Sequence, residues 1–146
     1  MKTVAEVIRN KANAYVYSVD SEDSLLDGLR ILAEHRIGAL VVLSGGRLVG
    51  IVSERDYVRK VALAERSLLN TKINEIMTSE VISVGPRDSV QYCMELMTER
   101  RLRHLPVLAE GELIGLLSIG DLVKETIAEQ ADLIRQLEQY IRGEIP

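Results

Sequence analysis

The sequence is poor in aromatic residues and in cysteine: it has no Phe, no Trp, five Tyr and one cysteine, Cys93. A single cysteine excludes a disulfide within the chain and is typical of a reducing compartment, so we expect a cytoplasmic protein. Because aromatic rings are so few, the core must be aliphatic, and base recognition on an aromatic platform is disfavoured. We interpret Cys93 as a small core residue rather than a nucleophile.

The sequence also lacks an excess of positive charge. Its formal net charge is −4 and its pI is about 5.3, which disfavours broad binding to nucleic acid, since neutralising phosphates requires a basic face. No apolar run approaches the roughly 18 residues of a membrane span, and the N-terminus lacks the pattern of a signal peptide. We therefore predict neither a nucleic-acid partner nor a membrane partner.

Recognisable metal-binding and catalytic patterns are missing as well. The only histidines, His35 and His104, have no cysteine or paired acids at ligand spacing, so no metal site is predicted. The sequence has no G-x-x-x-x-G-K-[ST] loop for hydrolysis of nucleoside triphosphates, and none of its serines has a nucleophile-elbow context. These absences predict a protein that is not an enzyme.

What the chain does contain is an internal repeat. When the sequence is shifted by 65 residues, Val19–Arg59 aligns with Val84–Lys124 without a gap, and fourteen of the 41 aligned positions are identical. The identical positions include the serine and the aspartate of two Ser-x-x-Asp motifs, Ser53–Asp56 and Ser118–Asp121. Self-similarity over this length indicates a duplicated structural unit.

Each copy predicts the element order strand, helix, strand, strand, helix, because apolar positions at helical spacing alternate with short apolar runs. The predicted strands are Tyr15–Val19, Ala39–Leu43 and Leu48–Val52 in the first copy, and Val81–Val84, Leu105–Leu108 and Leu113–Leu117 in the second. The predicted hairpin turns are Gly45-Gly46 and Glu110-Gly111, and the predicted helix starts are Ser24, Asp88/Ser89, Ser53 and Ser118.

One such unit has a sheet face that it cannot cover alone. Two units can bury these faces against each other, which predicts an α/β (α+β) fold of two pseudo-twofold related β-α-β-β-α units with a cleft at their axis. In the linker, Lys72–Thr78 looks like a short helix and echoes Thr3–Arg9. The predicted divisions are an N-terminal helix or arm (1–14), a first unit (15–64), a linker helix (65–80), a second unit (81–125) and a C-terminal helix extension (126–146).

The last helix is predicted to continue to about Arg142, where Gly143 and Pro146 end it. Apolar residues along it repeat every seven positions on two seams, the second of which Gln130 interrupts. The seams consist of Ile127, Ile134 and Ile141, and of Val123 and Leu137. This helix packs either on its own domain or on a second copy. Because the units look complete without it, we expect contact in a homodimer.

Several of these motifs resemble the cystathionine β-synthase (CBS) domain family. The segments Gly50–Asp56 and Gly115–Asp121 are similar to the closing signature of that domain. His104–Val107, ahead of the second hairpin, and Ile76–Thr78, ahead of the second copy, are similar to further motifs of the family. The resemblance covers roughly residues 4–125, and two copies in one order are similar to a Bateman module, the tandem pair of CBS domains.

The resemblance implies an adenosine-containing ligand in the cleft between the units: AMP, ADP, ATP, S-adenosylmethionine or NAD(H). It implies that Asp56 and Asp121 each hold a ribose diol. The other pocket positions that it implies are Tyr17, Ile37, Gly38, Ala39, Leu40, Ser53, Ser83, Arg103, His104, Leu105, Pro106 and Ser118. The first copy has Gly38-Ala39 where the second has Arg103-His104, so we expect two unequal sites.

The residues themselves also favour a sugar phosphate. One carboxylate can accept both ribose hydroxyls, and a helix start favours an anion. Apolar strands suit an adenine held between aliphatic side chains, and phosphate could meet basic residues. These are Arg55, Lys72, Arg103 and His104. Ser-x-x-Asp is equally a capping box, and Arg103-His104 is equally surface charge, so each has a structural alternative.

Together these patterns predict a stand-alone regulatory sensor that binds an adenine nucleotide and signals to a separate effector protein. A different class of function also fits the sequence: a structural or dimerising adaptor that binds no small molecule. Ligand-induced stabilisation distinguishes the two.

Overall fold

The computed structural model describes residues 2–143. The regular elements in chain order are α1 (Val4–Asn10), β1 (Ser18–Asp20), α2 (Leu25–His35), β2 (Ala39–Ser44), β3 (Arg47–Ser53), α3 (Glu54–Asp56), α4 (Val90–Arg100), β4 (His104–Ala109), β5 (Glu112–Ser118) and α5 (Ile119–Ile141). A π-helical segment, Tyr57–Ala62, continues α3, and a single 3₁₀ turn, Ile73–Glu75, lies in the linker. The fold is mixed α and β with two small sheets, as predicted.

The two sheets differ in their first strand. In the first unit β1 pairs in parallel with β2, and β2 pairs with β3 in an antiparallel hairpin. In the second unit β4 and β5 form the hairpin, but the predicted strand Val81–Val84 is wrong, because only Val84 makes a bridge, to Val107. The reason is Pro106, which occupies the position of Val41 and has no N–H to donate to a neighbouring strand.

The hairpin turns and the caps of the longer helices follow the sequence closely. Both turns place two residues at positive φ, as the two-residue hairpin requires: Gly45 and Gly46 in the first unit, Glu110 and Gly111 in the second. Ser24 accepts a hydrogen bond from the Asp27 amide at 3.2 Å and caps α2, and Ser89 accepts one from the Tyr92 amide at 3.0 Å and caps α4. Asp88, predicted as a shared cap of α4, instead accepts from the Gly85 amide at 2.7 Å.

The segment that precedes each unit in the sequence packs on the other unit. The amide of Val4 in α1 donates to Asp88 O of the second unit at 2.9 Å, and the amide of Ile73 in the linker donates to Asp23 O of the first unit at 2.9 Å. Val4 is completely buried in the core of the second unit, and Ile73 is completely buried in the core of the first. Each unit is therefore completed by a segment that lies outside its own repeat.

Two glycines at equivalent hairpin positions make this exchange possible. A Cβ on Gly50 would lie 2.5 Å from Met77 Sδ, and a Cβ on Gly115 would lie 2.8 Å from Ile8 Cδ1. Met77 and Ile8 belong to the two exchanged segments. The hairpins accept these segments at close range only because neither position carries a side chain.

The helices that end the two units have different lengths. After β3 the chain forms three α-helical residues and then the π-helical segment, whereas after β5 it forms α5, 23 residues long. Helix α5 ends at Ile141, one residue before the predicted end, and Gly143 follows with φ +76°. The predicted stop at Pro146 lies outside the described residues. Within residues 2–143, no helix combines the length and the apolarity that crossing a membrane requires.

Candidate functional site

Both Ser-x-x-Asp motifs form capping boxes at a helix start. The Ser53 amide donates to Asp56 Oδ2 at 2.9 Å, and the Ser118 amide donates to Asp121 Oδ2 at 2.8 Å. In return, each aspartate amide donates to the serine hydroxyl of its motif. The structural alternative for this motif is therefore confirmed. Capping and ligand binding remain compatible, since a carboxylate has two acceptor oxygens.

Each of these carboxylates also has a lysine counter-ion, and the two lysines come from different places. Lys60 Nζ lies 3.1 Å from Asp56 Oδ1 and donates to Ile76 O at 2.8 Å. Lys11, in the arm between α1 and β1, places Nζ 2.9 Å from Asp121 Oδ2 and donates to Leu116 O at 2.9 Å. As a result both oxygens of Asp56 are engaged, whereas Oδ1 of Asp121 lies outside these contacts.

The electrostatics of Asp121 favour its ionised form. Partial burial alone would raise the pKa of this carboxyl, but the Ser118 amide and the Lys11 ammonium lower it by more. The net pKa lies below the ordinary value of 3.8. Asp121 is therefore a carboxylate at neutral pH and can act as a hydrogen-bond acceptor.

One cleft between the units contains Asp56 and has a volume of about 320 Å³. Its walls come from both halves of the chain. The lining residues are Gly38, Ile51, Ser53, Glu54, Arg55, Asp56 and Thr78 from the first half, and Arg101, Leu102, Arg103 and His104 from the second. The second half thus presents a basic wall to the carboxylate of the first, and we call this space the Asp56 cleft.

The second cleft contains Asp121, has a volume of about 390 Å³, and is here called the Asp121 cleft. Its lining residues are Lys11, Asn13, Tyr15, Tyr17, His35, Arg36, Ile37, Gly38, Ala39, His104, Leu116, Ser118 and Asp121. The Tyr17 and His35 rings are stacked, with centroids 4.0 Å apart, and Tyr15 meets Tyr17 edge-on at 4.8 Å. Beyond the predicted Tyr17, this cleft therefore has two further rings on its wall: Tyr15 from the same short segment and His35 from the end of α2.

His104 lies between the two clefts and lines both. A Cβ on Gly38 would lie 3.4 Å from the His104 ring, so the glycine lets the imidazole approach the first unit. Burial lowers the pKa of His104 below 6.5, nearby Asp121 opposes this shift, and Lys11 and Arg103 add to it. The imidazole is consequently neutral at pH 7, which lets one ring nitrogen donate and the other accept a hydrogen bond.

Most of the predicted site residues line one cleft or the other. Those in the clefts are Tyr17, Ile37, Gly38, Ala39, Ser53, Arg55, Asp56, Arg103, His104, Ser118 and Asp121. Three others, Leu40, Leu105 and Pro106, are buried, and Ser83 lines a separate groove beside the hairpin turns. Lys72 pairs with Glu22 at 2.6 Å and lines neither cleft.

Sequence reasoning missed several residues that line the clefts. These are Lys11, Asn13, Tyr15, His35 and Arg101. The arm that carries the first three precedes the aligned repeat, so the self-comparison could not draw attention to it. His35 and Arg101 stand at helix ends, where a charged or polar residue is ordinarily a surface residue. Only the meeting of the two units makes them neighbours of the aspartates.

Neither a metal site nor a reactive thiol stands out in the part of the chain that the structure describes. Within it, no group of three His, Cys, Asp or Glu side chains could hold a metal ion. Burial raises the pKa of Cys93 to about 11, and the side chain is completely buried among core residues of the second unit. Its interpretation as a core residue is confirmed.

Comparison with known proteins agrees with this architecture. The CBS domain family profile matches residues 4–63 and 73–128. The mitochondrial CBS domain-containing protein CBSX3 of Arabidopsis thaliana is 37% identical over an alignment of 149 residues, which covers 97% of this chain and 72% of that protein. A solved CBS-domain protein from Burkholderia ambifaria MC40-6, described as a candidate signal-transduction protein, is 51% identical with a TM-score of 0.85, over 88% of this chain and 96% of that one.

A more distant structure shares the fold alone. The CBS domain pair of protein MJ0100, solved in complex with 5′-methylthioadenosine and S-adenosyl-L-methionine, is 21% identical with a TM-score of 0.77, over 88% of this chain and 98% of that one. With two family matches in one chain and close relatives of the same architecture, the chain belongs to the CBS domain family and forms a tandem CBS pair.

Proposed function

We propose that this CBS pair is a regulatory module that binds an adenosine-containing ligand between its two units. One observation carries the proposal: each capped aspartate faces a wall that the other unit supplies. Asp56 faces Arg103 and His104, and Asp121 faces Tyr17 and Ala39. A ligand that reaches from an aspartate to the opposite wall touches both units, so its binding depends on how the units are placed.

The Asp121 cleft suits the nucleoside part of such a ligand. Oδ1 of Asp121 can accept hydrogen bonds from a ribose diol while Oδ2 keeps its contacts to Ser118 and Lys11. The Tyr17–His35 stack offers a flat face for adenine. Because Lys11 is the nearest cation to Asp121, a ligand that displaces it must replace the ion pair with contacts of similar strength.

The Asp56 cleft suits a phosphate-bearing ligand. Arg101 and Arg103 are exposed side chains on its far wall, and Arg55 lies beside Asp56. Guanidinium groups match phosphate oxygens with paired hydrogen bonds. The ribose must here compete with Lys60 for Asp56 Oδ1. We propose AMP, ADP, ATP or NAD(H) as the ligand class for this cleft, which three arginines line, and S-adenosylmethionine for the Asp121 cleft, which one arginine lines.

A ligand regulates only if it binds two arrangements of the units with different affinity. We propose that binding shifts the angle between the units and alters a surface that a separate effector protein recognises, with no chemical change to the ligand. The lone buried thiol fits a reducing compartment such as the cytoplasm, and that location stays a prediction. The competing proposal is a ligand-free adaptor.

A thermal-shift screen against AMP, ADP, ATP, NAD, NADH, S-adenosylmethionine and 5′-methylthioadenosine tests the proposal. A ligand that binds one site at 100 times its Kd adds about 2.7 kcal/mol to the free energy of unfolding. The matched variants are Asp56→Asn and Asp121→Asn, which keep a capping side chain of the same size and remove one carboxylate each. If none of the seven compounds raises the melting temperature, the adaptor function replaces the sensor function.

A further inference from the structure

Helix α5 carries an apolar stripe that its own chain leaves in solvent. Ile127 is 61% exposed, Ile134 is 55%, Leu137 is 54% and Ile141 is 82%. Every described residue from position 129 onward is exposed. Apolar residues on one face of a helix ordinarily cover a core or a partner, so we expect another apolar surface to cover this stripe.

The side of α5 that packs on the domain is a different one. Leu122 is completely buried in the second unit, Glu125 binds Lys2 at 2.9 Å, and the Thr126 hydroxyl lies 3.6 Å from Met94 Sδ of α4. At 100° per residue, Leu122 and Glu125 lie at least about 100° around the helix from Val123 and Ile127, and Thr126 lies about 60° from Val123 and about 100° from Ile127. A second helix can therefore lie along the stripe without displacing the domain from α5.

The stripe has the spacing of a coiled coil. Its members alternate at intervals of four and three residues from Val123 to Ile141, which defines heptad positions a and d. The a positions are Ile127, Ile134 and Ile141, and the d positions are Val123, Gln130 and Leu137. This stretch of α5 is about 27 Å long, since an α-helix rises about 1.5 Å per residue.

We propose that the α5 stripe binds the same stripe of a second copy of this chain in an antiparallel coiled coil. In an antiparallel pair, a positions of one helix meet d positions of the other. Ile127 then packs against Leu137 of the second copy, and Ile134 against its Gln130. A twofold axis near residue 132 makes every contact occur twice.

Charge complementarity favours this direction. The e positions beside the stripe are Lys124, Ala131 and Glu138, and all three side chains are exposed. Antiparallel pairing sets Lys124 of each copy opposite Glu138 of the second copy, with Ala131 near the twofold axis. Parallel pairing would set Glu138 beside Leu133 of the second copy, at a g position, and would form no ion pair there. Charged e and g residues determine partner and orientation in coiled coils.

The first test is the oligomeric state of the full chain, measured by sedimentation equilibrium over a wide concentration range. We expect the mass to rise to twice the 16.3 kDa of one chain. Ile134→Asp should be monomeric yet folded, because Ile134 lies outside both buried cores. Gln139→Lys, on the outer face of the helix, is the matched control and should stay dimeric. A monomeric wild type, or a dimeric Ile134→Asp variant, overturns the proposal.

The second test is a charge swap. Lys124→Glu alone and Glu138→Lys alone each create two like-charge pairs, and each should raise the dimer dissociation constant about tenfold, or about 1.4 kcal/mol. Mixed together, the two single variants should form heterodimers in preference to either homodimer, which native mass spectrometry detects. Random mixing excludes the antiparallel pairing of these charges.

The third test reads the direction of the helices independently. In the antiparallel dimer the two copies of residue 141 lie about 27 Å apart along the axis, whereas in a parallel dimer they face each other. Ile141→Cys should therefore resist crosslinking by a short bismaleimide, and Ala131→Cys should crosslink. Native Cys93 is buried and contributes no background. Crosslinking at residue 141 but not at 131 would replace the antiparallel arrangement by a parallel one.

The dimer should persist in Asp121→Asn, so this inference can fail without the proposed ligand function failing.

Discussion

The two units fill the same buried contact between their helices with residues of different sizes. In the first unit Gly28 of α2 faces Tyr57, whose hydroxyl donates to Leu25 O at 2.6 Å in the core. At the equivalent positions the second unit has Cys93 and Leu122, both completely buried. A small residue opposite a large one, and two residues of middle size, fill the same space. The duplication therefore preserves the volume of this contact rather than its residues.

The clefts differ in a similar way. The capped carboxylate is the same in both, because Ser-x-x-Asp recurs in the repeat. The counter-ion comes from the same helix in the Asp56 cleft and from the N-terminal arm in the Asp121 cleft. The facing wall is basic in one cleft and aromatic in the other. The repeated motif thus determines the capped aspartate of each cleft. Residues that differ between the two copies, or that lie outside them, determine its counter-ion and its facing wall.

The largest expected effect comes from breaking the compensation in the first core. Gly28→Cys places a Cβ 2.5 Å from Tyr57 Oη and 2.8 Å from Ile73 Cδ1, so we expect a loss of about 2–3 kcal/mol in the free energy of unfolding. Gly28→Cys/Tyr57→Leu introduces the pair of the second unit and should recover at least about 1 kcal/mol of this loss. Urea unfolding of the wild type, Gly28→Cys, Tyr57→Leu and the double variant measures the coupling between the two positions. Simple additivity would show that the two positions do not compensate each other.

The next largest effect is the loss of ligand affinity when either capped aspartate is removed. Asp121→Ala should lower affinity for an adenosine ligand at its cleft by at least about tenfold, since the ribose diol loses its shared acceptor. Isothermal titration calorimetry measures the loss, and Asp56→Ala is the matched variant at the other cleft. Helix capping alone predicts a different result: the variant unfolds in the absence of ligand, or binds normally once folded.

A smaller effect sharpens the contrast between the facing walls. Arg103→Ala should weaken AMP by about fivefold and leave adenosine unchanged, because an exposed guanidinium contributes mainly a charge-assisted contact to phosphate. Arg47→Ala, remote from the Asp56 cleft in the groove beside the hairpin turns, is the control. If AMP and adenosine binding weaken equally, Arg103 does not contact the phosphate.

The smallest effect concerns the counter-ion of Asp121. The lowered pKa of Asp121 stabilises the folded chain at neutral pH, and this contribution is lost as the pH falls below about 4 toward the folded-state pKa. Lys11→Met removes the ammonium, so the pKa should rise toward 3.8 and stability at pH 7 should fall by less than about 1 kcal/mol. Carbon-13 NMR titration of the Asp121 carboxyl measures the shift. Lys2→Met, which breaks the pair with Glu125, should leave the titration unchanged.

Local elements were predictable wherever neighbouring residues determine them. The turns at Gly45-Gly46 and Glu110-Gly111 follow from positive φ at adjacent positions, and the caps Ser24 and Ser89 follow from free amides at a helix start. The strand predicted at Val81–Val84 failed for a reason outside that segment. Its partner strand carries Pro106, and a strand cannot be predicted from its own residues when the missing donor belongs to its neighbour.

By itself the sequence determined the duplicated unit, its caps and turns, and the two aspartates, because these depend on residues close together in the chain. Only the tertiary structure decided which segment completes which core, which lysine pairs with each aspartate, and where the rings of Tyr17 and His35 meet. Those outcomes depend on contacts between residues far apart in sequence. Burial and close packing select such contacts only after both units have formed.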